Sequence, residues 1–232
     1  MHKKLLDFFL PNPSMCVLCH APMDTLGLCE ACLDRWDDFS KKEGQCKHCG
    51  SFGVRAPVCD VCRDWPKYFL GNRALLPYTD EVRDALVALK FHAEPWRAAG
   101  FRALFERLEP PAVDYIMPVP LHKARARERG YNQSLLLAKV AGEVWGIDVK
   151  DGVLLRYKNT KHQIGLPKTQ RAANVEGAFG VHPKRTAFVE GQSIMLIDDV
   201  LTTGATLLSC ARTLHQTGAE SICALTLTSA IQ

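Results

Sequence analysis

The stretch Ile194 to Thr206, IMLIDDVLTTGAT, constrains this chain more than any other. Ile194, Met195, Leu196 and Ile197 run unbroken into Asp198 and Asp199, which reads as a strand buried on both faces of a parallel sheet. Turn chemistry follows: Thr202, Thr203, Gly204, Ala205 and Thr206 offer hydroxyls, backbone N–H groups and a glycine where the pattern changes to helix. The helix is expected from about Ala205, with Leu207, Leu208, Ala211 and Leu214 on its apolar face and Gly218 stopping it. Its N-terminus points into the turn, where unpaired N–H groups and the helix dipole favour a bound anion. Two adjacent carboxylates would repel a bare phosphate, but they can accept hydrogen bonds from two vicinal hydroxyls. The residue types together call for a ribose attached to that phosphate, a ribose 5-phosphate unit.

A second constraint lies in the first third of the chain. Eight of the ten cysteines form four CxxC pairs: Cys16/Cys19, Cys29/Cys32, Cys46/Cys49 and Cys59/Cys62. The pattern CxxC, nine residues, CxxC occurs twice, the second copy displaced by thirty residues, so the segment is an internal repeat. Two thiolates three positions apart bind one zinc ion from a tight turn, and two such turns complete a tetrahedron. Two structural Zn²⁺ sites follow, each with its four positions filled by cysteine. The repeats can fold as sequential ribbons, 16/19 with 29/32 and 46/49 with 59/62, or as a cross-braced unit; the equal spacings favour the first. His20 and His48, inside or beside the pairs, are alternative ligands. The linking chain is poor in apolar residues, so metal is expected to substitute for a core. A disulfide scaffold or redox pairs are the competing readings, and no signal peptide is expected from the sequence to favour them.

A length of 232 residues accommodates one sizeable core plus a small module, and an apolar content of 47% is that of a globular chain. No apolar run is long enough to span a bilayer, and the start MHKKLLDFFLPNP is soon broken by prolines. The expectation is a cytoplasmic protein without membrane insertion. The net charge of +4 is uneven: residues 1–66 hold 8 basic and 9 acidic side chains, the remainder 21 and 16. Pro57, Pro66 and the change of pattern near Trp65 place a boundary between a zinc-ribbon module, 1–66, and a second domain, 67–232.

Within that second domain, Asp80 to Phe91 carries Val82, Leu86 and Leu89 on one helical face, with Asp80 as N-cap. Lys90, in the last turn, reads mainly as a partner for the helix dipole. Pro95 opens another helix that runs to near Glu109. Val113 to Val119 is expected to be the first core strand. The loop after it, LHKARARERGYNQ, holds Lys123, Arg125, Arg127 and Arg129 before a helix from about Asn132 to Trp145. In open α/β sheets this carboxyl edge is where ligands bind. Val153 to Tyr157 gives another expected strand, followed by a polar, basic loop; Phe179 to Val181 and Phe188 to Val189 then lead to the central motif, and Ser221 to Thr228 supplies a last strand. Cys210 and Cys223 read as buried thiols.

The acid pair followed by TTGAT resembles the phosphoribosyl pyrophosphate (PRPP) motif of type I phosphoribosyltransferases. With PVPLH, RGYNQ, the T-x-x-Q…R-x-x-N segment and the cysteine-rich N-terminus, the whole resembles the ComF/GntX family. The resemblance implies an α/β fold: a Rossmann-like type I phosphoribosyltransferase domain with a mainly parallel sheet, preceded by a double zinc ribbon. It implies PRPP binding with Mg²⁺ through Asp198, Asp199, Val200, Thr202, Thr203, Gly204, Ala205 and Thr206, the two acids also being catalytic. It implies a pyrophosphate loop at Leu121, His122 and Lys123, and a mobile loop closing over PRPP with Thr160, Gln163, Arg171 and Asn174. By the same resemblance the chain is associated with natural competence and the use of imported DNA. The alternative to a transferase is a non-catalytic PRPP sensor or adaptor that contacts single-stranded DNA or a competence-machinery protein.

Overall fold

A computed structural model describes residues 14–158 and 175–230. Its centre is a parallel four-stranded sheet in the order β1-β6-β5-β2, with β1 Phe69–Pro77, β2 Tyr115–Pro118, β5 Ser193–Leu201 and β6 Ser221–Ser229. A separate antiparallel pair joins β3 Leu154–Arg156 to β4 Phe179–Val181. Around the sheet lie α1 Glu30–Glu43, α2 Asp80–Phe91, the short α3 Arg97–Gly100 and α4 Arg102–Glu106, α5 Lys123–Arg129, α6 Gln133–Trp145 and α7 Ala205–Gln216.

Strand β5 runs between β2 and β6, so its side chains are covered on both faces, as its unbroken apolar run anticipates. Ile194 and Leu196 join the layer built with Leu207, Cys210, Ala211 and Leu214 of α7. Met195 and Ile197 join the opposite layer, with Val82, Leu86 and Leu89 of α2 and Leu137, Ala138 and Ala141 of α6. Period-two alternation on the strand and a 3.6-residue period on the helices produce this division.

The cysteine repeats are built into the same two layers. Cys46, Cys49, Cys59 and Cys62 pack in the α7 layer, whereas Cys16 and Cys32, with Val17, Leu33 and Trp36, pack in the α2 and α6 layer. The Val17 carbonyl accepts from Arg97 Nη1 at 3.1 Å. The Asn72 amide donates to the Cys49 carbonyl at 2.9 Å, and its N–H to the His48 carbonyl, also at 2.9 Å. At Gly71, with φ 128°, a β-carbon would come within 2.3 Å of the His48 oxygen, so only glycine lets the second ribbon dock against the β1 edge.

The structure departs from the sequence reading in several places. The first core strand is β1, which the sequence reading does not anticipate: its apolar run is interrupted at Asn72, whose side chain meets the second ribbon at this sheet edge, and at the exposed Arg73. Between the knuckles a full helix, α1, buries Cys32, Leu33 and Trp36. Strands β3 and β4 lie outside the main sheet, and residues 188–189 close a 3₁₀ turn. Thr79, not Asp80, occupies the N-cap of α2, and the helix expected from Pro95 is broken into α3 and α4 at Phe101. Cys210 is fully buried; Cys223 is only half-buried. Among the described residues no helix is long and apolar enough to cross a membrane.

Candidate functional site

The acid pair closes the floor of a cleft of about 440 Å³ at the carboxyl end of the sheet. Its walls come from α2 (Leu86, Lys90, Phe91), from Leu121, Arg125 and Arg129, and from Arg156 on β3. The acids do not sit on an exposed strand end. β5 continues in register beyond them, with Asp198 opposite Thr226 and Leu201 opposite Ser229, and both carboxylates are buried.

Each acid has its own partners. Asp198 Oδ1 accepts from Ser134 Oγ at 2.9 Å and from the Asp199 N–H at 2.9 Å. Asp199 Oδ1 accepts from Gln133 Nε2 at 3.3 Å, and its Oδ2 is ion-paired with Lys90. Gln133 in turn accepts from Arg129, which lies 5.0 Å from the Phe91 ring centroid. A continuous network therefore runs Arg129, Gln133, Asp199, Lys90. Burial pushes the Asp198 carboxyl up to about 6, against the Ser134 hydrogen bond and the positive charges of Lys90 and Arg156. Burial likewise lowers Lys90 to about 8, opposed by Asp198 and assisted by Arg129. Three cationic groups and two buried carboxylates thus share one site, and their charges depend on one another.

The expectation that Lys90 serves mainly the helix dipole does not hold. Its side chain is 22% exposed and turns inward onto Asp199, since position 90 follows Leu86 by four residues and shares its core-directed stripe. The basic loop is also not a loop. Residues 123–129 form α5, capped by His122, whose Nδ1 accepts from the Ala124 N–H at 3.2 Å. Helical spacing then divides the basic run: Arg125 and Arg129 line the cleft, while Lys123 and Arg127 face solvent. Of the expected pyrophosphate loop, Leu121 lines the cleft, His122 caps the helix and Lys123 points outward.

The RGYNQ segment organises this wall. Gly130 ends α5 in the left-handed region, Tyr131 Oη donates to the Leu89 carbonyl at 2.5 Å, and Asn132 both caps α6 and donates to the Val119 carbonyl at 3.0 Å. That arrangement delivers Gln133 and Ser134, the first residues of α6, to the acids. Sequence reasoning misses Ser134 and Arg156; Gln133, at the end of RGYNQ, and Lys90, as a cation able to reach an anionic ligand, read there only as secondary candidates.

Beside the cleft, a recess of about 20 Å³ is lined by Asp198, Val200, Leu201, Thr202, Gly204, Ala205, Thr206 and Leu207. Gly204 caps α7 with φ 76° and has no side chain to accept from the first-turn N–H groups, and residues 204–207 line the recess. Thr203 Oγ1 accepts from the Ala205 N–H at 3.5 Å. The recess admits about one water-sized group. The expected mobile-loop residues Thr160, Gln163, Arg171 and Asn174 lie outside the described residues.

Each cysteine repeat closes on itself. Cys16, Cys19, Cys29 and Cys32 form one group and Cys46, Cys49, Cys59 and Cys62 the other, all sulfurs within a group lying within 4.8 Å of one another. The sequential pairing is the one adopted. Sulfur–sulfur distances of 3.4 to 3.8 Å approximate the edge of about 3.8 Å for a tetrahedron with Zn–S of about 2.3 Å. Cys16 and Cys46 are drawn down to about 7: burial opposes this, but backbone N–H groups of the knuckles outweigh it. The donor set fits a thiolate-binding metal such as zinc. His48 belongs to neither group and instead packs against Trp65, with ring centroids 5.5 Å apart.

A search against protein-family models finds no match. Among curated proteins, the chain is 33% identical to competence protein ComFC of Bacillus subtilis, over 78% of this chain and 76% of that one. It is 28% identical to competence protein F of Haemophilus influenzae, over 84% and 87%, and 26% identical to the DNA utilization protein YhgH of Escherichia coli, over 92% and 96%. Among solved structures it is similar to a glutamine PRPP amidotransferase from Bacillus subtilis, at 18% identity and a TM-score of 0.39, over 58% of this chain and 26% of that one. It is also similar to a purine phosphoribosyltransferase from Pyrococcus horikoshii, at 18% identity and a TM-score of 0.33, over 57% and 80%. This chain thus spans about a quarter of the amidotransferase. Identity of a third, sustained across three quarters of both chains as with ComFC, decides the matter of kinship: the chain belongs to the ComF/GntX family of phosphoribosyltransferase-like proteins.

Proposed function

We propose that this protein binds PRPP with Mg²⁺ in the cleft above Asp198 and Asp199, and transfers the phosphoribosyl group to an acceptor in the context of DNA uptake. The observation that carries the reading is the juxtaposition of a paired carboxylate floor with the glycine-capped N-terminus of α7, Asp198, Thr202 and Thr206 lining both the cleft and the recess beside it. The acids would accept hydrogen bonds from the two ribose hydroxyls, which must share or displace the Lys90 contact to Asp199. The Thr202–Thr206 turn and the first N–H groups of α7 would hold the 5-phosphate. Arg125 and Arg129, with Arg156 across the cleft, would face the pyrophosphate.

In the reaction, the bond from the anomeric carbon to pyrophosphate breaks, the electron pair leaving with the pyrophosphate. An acceptor lone pair forms the new bond, and Asp199 would take the acceptor proton. Positive charge developing on the ribose ring is stabilised by the adjacent carboxylates. Magnesium, held through PRPP near these acids, would supply charge neutralisation of the leaving group. The names of the relatives support the biological setting, and the solvent-facing Lys123 and Arg127 offer a surface for single-stranded DNA or a competence-machinery protein.

Calorimetric titration with Mg²⁺-PRPP tests the binding half. The wild type is expected to bind, and Asp198→Asn with Asp199→Asn to bind at least about tenfold more weakly, because hydrogen bonds to charged acceptors contribute about 1.5 to 3 kcal/mol each and are not additive. Equal affinity in the two proteins would remove the acids from the site. Pyrophosphate release, screened against bases, amines and DNA, tests the transfer half; PRPP binding without release under any acceptor would leave the sensor reading.

A further inference from the structure

The end of the second cysteine repeat and the residues that follow it meet α7 at both ends. Trp65 is held on its own side by two parts of the Cys46/Cys49/Cys59/Cys62 group. Its N–H donates to the Cys62 carbonyl at 3.1 Å, and its ring packs on His48, which lies between Cys46 and Cys49. Phe69 supports the ring from β1, with centroids 5.1 Å apart. On the other side the indole covers Gly204, the N-cap of α7: a β-carbon there would lie 2.6 Å from Trp65 Cζ2 and 3.4 Å from Nε1. The indole is buried, and its Nε1 has no hydrogen-bond partner. Three residues on, Tyr68 stacks on His215 in the last turn of α7, centroids 4.2 Å apart and rings 6° from parallel. A twelve-residue helix is about 18 Å long, and these two aromatic contacts grip it at opposite ends.

From this we infer that the second zinc ribbon is a working part of the phosphate cradle, with Trp65 as a positioning residue that holds the Gly204 turn and the first N–H groups of α7 in place. The inference rests on the PRPP reading for its ligand but not for its mechanism. Within the turn, Thr203 Oγ1 accepts from the Ala205 N–H at 3.5 Å, and Gly204 at its centre provides no side chain, so the surface packed against that glycine comes from elsewhere in the chain. The indole is the rigid surface behind the turn. Its position depends on the knuckles around it, which are themselves shaped by the metal their thiolates can hold. The first ribbon packs in the opposite layer, against α3 through Val17 and Arg97, and among the described residues makes no such aromatic contact with α7. The two zinc sites are therefore not equivalent, although their sequences repeat.

Amide hydrogen exchange on the full-length protein reads the coupling without any ligand. Trp65→Ala is expected to accelerate exchange at residues 204–208 at least tenfold, leaving peptides from α2 and α6 unchanged and the zinc content at the wild-type level. Trp65→Phe, which preserves a flat apolar ring, should restore protection to within about threefold. Cys59→Ser should lose one of two metal ions and expose the same amides, whereas Cys29→Ser should lose the other ion and leave them protected. Unchanged exchange at 204–208 in folded Trp65→Ala overturns the inference, as does loss of protection in Cys29→Ser equal to that in Cys59→Ser. A parallel calorimetric titration with Mg²⁺-PRPP should show Trp65→Ala weakened at least tenfold and Trp65→Phe near wild type. If the wild type itself fails to bind, the PRPP reading falls while the exchange experiment still judges the ribbon.

Discussion

Asp198 illustrates how this site trades stability for chemistry. Its carboxyl lies near 6 in the folded protein against an ordinary value of 3.8, because burial disfavours the charge more than Ser134, Lys90 and Arg156 favour it. The native state therefore keeps a proton that the unfolded chain has released between about pH 4 and pH 6. Its contribution to stability is highest below that window and falls as the pH rises through it, leaving a cost of up to about 3 kcal/mol at neutral pH. Asp198→Asn keeps an oxygen to accept from Ser134 and removes the charge. The expected outcome is a variant at least as stable as wild type at pH 7, by up to a few kcal/mol, whose stability no longer declines between pH 4 and 6. Denaturant melts at intervals across that range check it; a variant destabilised at neutral pH but unchanged at pH 4 would show that the carboxylate is a net structural asset. Lys90 works in the opposite direction, its ammonium being lowered to about 8 by burial. The folded protein releases that proton before the unfolded chain does, so stability from this group rises with pH above about 8.

At the scale of elements, α5 converts a charge run into two functions. Arg125 and Arg129 are four residues apart and turn into the cleft, while Lys123 and Arg127, also four apart, turn away from it. Burial pushes the Arg129 guanidinium down, with the neighbouring Arg125 charge adding to that effect, so cleft and surface cations differ in environment as well as direction. Arg125→Ala is expected to weaken Mg²⁺-PRPP at least tenfold in calorimetry. Lys123→Ala with Arg127→Ala should leave that affinity within about threefold, and should reduce single-stranded DNA affinity together with its salt dependence by about one to two phosphate contacts. The reverse pattern, with PRPP lost on the outer face, would contradict the helical division. None of this is legible from a list of basic residues. In sequence the run KARARER reads as a loop because charged residues leave no apolar stripe to signal a helix; His122 as cap and Gly130 as terminator are the available signs.

For the molecule as a whole, the ribbons share its core. Cysteines of the second group pack in the α7 layer and those of the first in the α2 and α6 layer, one on each side of the sheet. We therefore expect two zinc ions per chain by metal analysis, and a single cooperative thermal transition that chelation lowers for the entire protein. A segment 67–232 produced alone would lose the cover of Phe69, Leu207 and the β1 edge, and should not show that transition. If it melts like the full chain, the ribbons are an appended module and the shared packing is incidental.

Much was available from sequence because it depends on local spacing. The buried strand before the acids, the turn and helix after them, and two four-thiol groups all follow from residues within a few positions of one another, where periodicity and ligand geometry act directly. Even the sequential closing of the cysteine repeats was favoured by equal intervals. What tertiary structure alone decided are the meetings between distant segments: Lys90 on Asp199, Gln133 and Ser134 on the acids, Arg156 across the cleft and Trp65 over Gly204. Those contacts arise because a parallel sheet brings the carboxyl ends of separate strands and their following helices to one edge, whatever their separation in the chain. A lysine in a last helical turn or a tryptophan after a CxxC has an ordinary local explanation, and only the packing of the layers shows which side chain it faces.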